Sequence, residues 1–145
     1  TIGFVFQTFN LIPRLTALEN VELPLVVRGV RKEERRKLAT EALSLVGLEE
    51  KLTNKPTEMS GGEQQRVAIA RAIVGKPEIL LADEPTGNLD SRNSKLVVDI
   101  LKNINYELGT TIVIVTHNPE VAHSCQRIVG IRDGRVESVE DVGNA

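Results

Sequence analysis

Apolar and polar positions along the chain follow two patterns. From Arg31 to Val46, apolar side chains return every three or four residues at Leu38, Ala42, Leu45 and Val46. That spacing predicts a helix with one apolar face, and Glu33 and Lys37 form a favourable pair one turn apart. Gly47 stands where a left-handed glycine closes a helix. A second helix is predicted from Gly61 to about Val74, stopped by Gly75 and Pro77. The clearest helix is Ser91 to Leu108, with Val97, Ile100, Leu101, Ile104 and Leu108 on one stripe ahead of Gly109. Elsewhere the apolar residues run together. Ile2–Phe6, Glu78–Ala82 and Thr110–Thr116 read as short buried strands, and the continuous run Glu78–Ala82 fits burial on both faces. Pro119 suits the first position of a short helix, and Arg127–Val139 alternates around Asp133-Gly134 as a hairpin does. Gln7–Arg28 is mixed, with Pro13 and Pro24 as breaks, and Leu48–Thr57 is a polar connector.

The second half therefore runs strand, helix, strand, helix, hairpin, which predicts an α/β layered sheet. The first half is mostly helical, and a boundary is expected near Pro77 within one larger domain. A chain of 145 residues fits one domain. A net charge of -2 gives no electrostatic reason to expect a nucleic-acid partner. The single cysteine, Cys125, excludes an internal disulfide. Because the first residues, IGFVF, already read as a strand, the chain is expected to be a piece of something longer.

Candidate chemistry gathers at the ends of the apolar runs. ILLADEP, Ile79–Pro85, brings two adjacent carboxylates, Asp83 and Glu84, to the C-terminal edge of a strand, where ligands of open α/β sheets bind. Neighbouring strand residues point in different directions. One carboxylate can serve a hydrated Mg²⁺ while the other faces an attacking water, as phosphoryl transfer requires. A polar turn closing a strand is the plainer reading. VIVTH ends a second strand in His117, which can donate a hydrogen bond to a phosphate or a water, or simply terminate the strand. SGGE, Ser60–Glu63, satisfies the capping box, with Ser60 as N-cap and Glu63 three residues on. Gly61 and Gly62 weaken a first turn but let backbone N–H groups approach an anion closely. Gln7 can ligate a metal or lead the chain out of the sheet, and Asp90 suits an N-cap. His123 and Cys125 are too few for a zinc site.

These pieces in this order resemble the nucleotide-binding domain of an ATP-binding cassette (ABC) protein. Gln7 resembles the Q-loop, MSGGEQQR from Met59 to Arg66 the signature, ILLADEP the Walker B strand, GNLD from Gly87 to Asp90 the D-loop, and His117 the switch histidine. Phe6–Leu25 is similar to the group of lipoprotein-release and macrolide-efflux ATPases. The resemblance implies a P-loop NTPase-type sheet with a helical subdomain over about residues 13–76. Residues 1–12 and 77–145 would belong to the core, and all of 1–145 to one ATPase domain. It implies ATP and Mg²⁺ as cofactors and ATP hydrolysis as the activity. Two such domains, most simply identical ones, would pair head to tail beside a transmembrane permease at the cytoplasmic face of a membrane. Ser60, Gly61, Gly62 and Glu63 would meet nucleotide bound to the opposite protomer. Gln7 and Asp83 would serve Mg²⁺, Glu84 would polarise the attacking water, His117 would touch the γ-phosphate, and Asp90 would communicate across the dimer.

Met59 and Glu63 depart from the commoner Leu and Gln of the signature, and Glu63 brings a negative charge toward phosphate. No G-x-x-x-x-G-K-[ST] segment occurs, so the 145 residues alone are expected to neither bind ATP tightly nor hydrolyse it, and to leave sheet surface exposed. Two other readings stand beside this one: an ABC ATPase of translation or DNA repair, and a truncated chain that regulates a complete cassette. The compact interval between Gln7 and the signature holds no sustained heptads, which speaks against the coiled-coil repair type.

Overall fold

The computed structural model describes residues 1–143. Asn144 and Ala145, the end of the span assigned to one domain, lie outside the described residues. The chain forms two compact units, Thr1–Val115 and Thr116 onward.

In the first unit three parallel strands form one sheet in the order β1 (Ile2–Val5), β2 (Ile79–Asp83), β3 (Thr111–Val115). Ile2 pairs with Ile79 and Val5 with Ala82, while Asp83 pairs with Val115. Between β1 and β2 run the helices α1 (Ala17–Val27), α2 (Lys32–Leu45) and α3 (Gly61–Ile73), with one 3₁₀ turn at Pro56–Glu58. α4 (Ser91–Leu108) joins β2 to β3. α3 packs on β1 and α4 on β3, so one face of the sheet is covered. Gly3, Val5, Leu80 and Ala82 point into that face and are buried.

The other face carries exposed sheet surface, as expected for this chain, while Ile79 and Leu81, expected to be covered on both sides, are half-buried. Ile2, Phe4, Phe6, Val113 and Val115 lie exposed, and the rings of Phe4 and Phe6 stack with centroids 6.1 Å apart. The alternation arises because the helices of this unit all lie to one side, so every second strand residue has no layer to meet.

Two further expectations are corrected. Pro24 lies inside α1 and does not break it. A capping box at Thr16–Glu19 starts this helix, and Ala17, Val21 and Leu25 bury its face, so tertiary packing outweighs the one backbone bond that proline removes. Leu108 is exposed at the end of α4, whose buried stripe stops at Ile104. Pro77 lies within the first unit, where β1 reaches across the helical segment to pair with β2.

α1 and α2 are joined by an ion pair, Arg35 Nε to Glu22 Oε2 at 3.1 Å, with Glu22 almost wholly buried. Asn20, fully buried, holds the turn before α1. Its Oδ1 accepts from the Ile12 N–H at 2.8 Å, and its Nδ2 faces the carbonyls of Ile12, Leu15 and Thr16.

The second unit contains α5 (Pro119–His123) and the hairpin β4 (Arg127–Arg132) and β5 (Arg135–Asp141). Asp133 and Gly134 both have positive φ, 52° and 73°, as a type I′ turn requires.

Gly3 is where β1 approaches α3 most closely. A Cβ there would lie 2.7 Å from the Ala72 carbonyl oxygen, a backbone atom that cannot swing aside. Gly3→Ala is expected to destabilise the fold by about 1–3 kcal/mol, read as a lower urea midpoint. An unchanged midpoint would contradict this packing.

Candidate functional site at the C-terminal edge of the sheet

The register of β1 on β2 decides which side chains meet. Val5 pairs with Ala82, so Gln7 and Glu84 each lie two residues beyond a paired position, just past the ends of adjacent strands. Asp83 is the last residue of β2 and is exposed there. Gln7, Asp83 and Glu84 thus gather at one edge.

Glu84 turns the chain out of the sheet. It adopts φ 48°, a left-handed conformation uncommon for glutamate, which costs roughly 1–2 kcal/mol. Two bonds hold it there: its N–H donates to the Val115 carbonyl at 2.8 Å, and its carbonyl accepts from the Gly87 N–H at 3.1 Å. The turn separates the Glu84 side chain from the strand direction that Asp83 follows.

Gln7 is fixed by the loop after β2. Its Nε2 donates to Asn88 Oδ1 at 3.2 Å, and Asn88 Nδ2 donates back to the Gln7 carbonyl at 3.3 Å. The amide lies flat over Gly87, where a Cβ would come within 2.8 Å of its Cδ. With the nitrogen end engaged, Oε1 remains as the oxygen donor.

The residues fit a hydrated Mg²⁺ on a phosphate chain. Among the described residues no three His, Cys, Asp or Glu side chains gather into an all-protein metal cage. One carboxylate and one amide oxygen are hard ligands in the small number suited to an ion that keeps waters and phosphate oxygens.

The N-terminus of α3 is a complete capping box. Glu63 N–H donates to Ser60 Oγ at 3.1 Å, and Ser60 N–H donates to Glu63 Oε1 at 3.0 Å. The bond from Ser60 holds the Glu63 carboxyl below the usual carboxylate range. Burial opposes that shift and Lys51, 3.8 Å away, adds to it. The negative charge of Glu63 is therefore tied to its own helix and to a lysine. The amides of Gly61 and Gly62 precede the helical ladder and have no intrahelical acceptor. Gly61 is exposed, whereas Gly62 is buried, and a Cβ on it would collide with Asn93 Oδ1. Packing of α3 on α4 thus explains one of the two glycines without any anion.

Asp90 caps α4, its Oδ1 accepting from Asn93 N–H at 2.8 Å and from Asn93 Nδ2 at 3.0 Å. His117 belongs to the second unit, in the turn where Thr116 Oγ1 accepts from the Asn118 N–H ahead of α5. His123 Nδ1 lies 2.7 Å from the Pro119 carbonyl, and Cys125 Sγ 3.6 Å from that of Val121.

Three residues escaped the sequence reading. Gln65, fully buried on α3, donates from Nε2 to the carbonyls of Phe6 at 3.1 Å and Pro85 at 2.7 Å. Arg71, one and a half turns further, donates to the carbonyls of Asn10 at 2.9 Å and Phe9 at 3.3 Å. Burial lowers the pKa of its guanidinium without removing the charge. Arg66 donates to the Val46 carbonyl at the end of α2 at 3.1 Å. The available signal was a glutamine and two arginines on the inner face of an otherwise apolar helix.

A family model described as ABC transporter matches residues 1–87. The chain belongs to the ABC transporter family. Within it, the chain is 54% identical over 136 residues to the lipoprotein-releasing system ATP-binding protein LolD of Geobacter metallireducens, covering 94% of this chain and 60% of that protein. It is 53% identical to the macrolide export ATP-binding/permease protein MacB of Syntrophobacter fumaroxidans, covering 94% of this chain and 19% of MacB. Among solved structures it resembles the ATP-binding cassette MJ0796 in a dimeric post-hydrolysis state with ADP and Pi. There the TM-score is 0.83 at 50% identity, over 100% of this chain and 64% of that one. The P-loop NTPase-type α/β fold and the relation to the lipoprotein-release and macrolide group are thereby established. The chain spans roughly 60% of the length of the curated ATP-binding proteins it matches that carry no fused permease, such as LolD. No helix among the described residues is long and apolar enough to cross a membrane.

Ser60→Ala is expected to cost about 1 kcal/mol at pH 7, seen as a lower urea midpoint. Because the folded Glu63 carboxyl is depressed, its contribution is present above the ordinary carboxylate pKa and is lost as pH falls through the folded value. Glu63→Gln keeps an acceptor oxygen and should flatten the loss of stability below about pH 4.5. An unaltered pH profile would show that Glu63 does not carry this dependence.

Proposed function

We propose that this chain is part of the ATP-binding subunit of a membrane transporter, which hydrolyses ATP between two head-to-tail subunits. The observation that carries this reading is the convergence of Gln7, Asp83 and Glu84 at one sheet edge, set by the register of β1 on β2. Mg²⁺, when bound with ATP, supplies charge neutralisation at the phosphates. Asp83 and the Gln7 amide oxygen hold it. Glu84, turned away from Asp83 by its left-handed backbone, orients and polarises the attacking water. His117 donates to the γ-phosphate. Ser60 offers its hydroxyl hydrogen, and Gly61 and Gly62 their first-turn amides, to nucleotide bound on the opposite subunit, where a helix N-terminus favours negative charge. Glu63, held by Ser60 and Lys51, shapes the turn that meets nucleotide. Asp90 sits between the two sites of the dimer and caps α4 in doing so.

About residues 13–76 act as the helical subdomain, and the loop after Gln7 takes the contact of a transmembrane permease. The subunit is peripheral, at the cytoplasmic face, without nucleic acid as a partner. Residues 1–145 alone contain no G-x-x-x-x-G-K-[ST] loop, so they neither bind ATP tightly nor turn it over. The full-length protein does both.

In the full-length protein, Glu84→Gln should lower the ATPase rate by about 10²–10⁴-fold while ATP binding by titration calorimetry is retained. Undiminished turnover would exclude Glu84 as the group that activates water.

A further inference from the structure

The Gln7 side chain has two chemically different ends, and only the oxygen can ligate a cation. Nothing in the sheet itself decides which end faces out. The decision is made by the loop after β2. Asn88 accepts from Gln7 Nε2 at 3.2 Å and returns a bond from its own Nδ2 to the Gln7 carbonyl at 3.3 Å. The two residues are 81 positions apart in sequence, so this pair joins the segments after β1 and β2 at the edge where Asp83 stands. Gly87 supplies the floor. A Cβ there would lie 2.7 Å from Gln7 Nε2, 2.8 Å from Cδ and 3.0 Å from Cγ, so any side chain at position 87 pushes the amide off.

We propose that Asn88 is a positioning residue that, with Gly87 as its platform, holds the Gln7 amide nitrogen and so presents Oε1 to the metal. The proposal rests on the reading of Gln7 as a ligand given above. An outer partner that fixes a ligand's orientation raises metal affinity, and its loss typically costs 10–100-fold. Asn88 touches no substrate atom in this role. Gln7 and Asn88 are both exposed, so truncating either leaves the hydrophobic core intact.

The test uses the full-length protein with a non-hydrolysable ATP analogue and Mn²⁺ as the probe, its affinity read by electron paramagnetic resonance. Asn88→Ala should weaken Mn²⁺ binding about tenfold or more, with the melting temperature unchanged. Gly87→Ala should do the same by displacing the amide. Asn88→Asp, which keeps the acceptor for Nε2, should recover most of the affinity. In a Gln7→Ala background, neither Asn88→Ala nor Gly87→Ala should have a further effect, because both act through Gln7. If Gln7→Ala weakens Mn²⁺ binding and Asn88→Ala does not, the positioning role is overturned and the ligand role of Gln7 stands. If Asn88→Ala weakens binding equally in both backgrounds, Asn88 acts by another route and the proposal falls. If Gln7→Ala leaves Mn²⁺ affinity unchanged, the ligand reading itself fails, and the proposal with it.

Discussion

One buried side-chain amide ties the site together. Gln65 Nε2 reaches the Phe6 carbonyl on one side and the Pro85 carbonyl on the other. Those carbonyls stand one residue before Gln7 and one after Glu84. Strand pairing alone sets the level at which β1 and β2 end. It does not fix the paths of the loops that leave them. Gln65 supplies that constraint from the fully buried face of α3, where a hydrogen bond is strong and an unmade one is costly. Arg71 extends it by gripping the carbonyls of Phe9 and Asn10. α3 therefore has two duties. Its first turn exposes Gly61, and its inner face sets the loops at the sheet edge where Gln7, Asp83 and Glu84 gather. A displacement of α3 must carry the Phe6–Asn10 backbone with it or break these bonds.

The same edge carries backbone strain. Glu84 and Asn10 are both left-handed, at φ 48° and 54°, in positions where glycine would be easier. Each is held by neighbours: Glu84 by Val115 and Gly87, Asn10 by Arg71. Strain of this kind persists only where surrounding bonds over-determine the geometry. At Glu84 it lies one residue beyond Asp83, where the chain leaves the strand.

Much of this was legible in the sequence. The helices at Lys32–Leu45, Gly61–Ile73 and Ser91–Leu108 follow from period and capping residues, and the hairpin turn from Asp133-Gly134. The capping roles of Ser60 and Asp90 are local, and local rules suffice for them. What was illegible depends on long-range neighbours. The continuous run Glu78–Ala82 suggested two covered faces, but coverage depends on which layers are present. Pro24 looked like a break because propensity cannot weigh the burial of Val21 and Leu25 against one lost bond. Gly62 suggested anion contact, although its neighbour Asn93 lies 31 positions away in sequence. Gln65 and Arg71 could not be singled out, because their partners are backbone carbonyls that carry no sequence signature.

The central claim is that the hydrolytic edge of one chain works with the first turn of α3 from another. The most direct measurement is single-turnover ATP hydrolysis by an equimolar mixture of two full-length variants, Ser60→Arg and Glu84→Gln, each expected to be inactive alone. In a head-to-tail dimer of the two, one site combines an intact Glu84 with an intact Ser60 from the partner. The account predicts that hydrolysis returns on mixing. A mixture as inactive as its components, with mixed dimers shown to form, would contradict it.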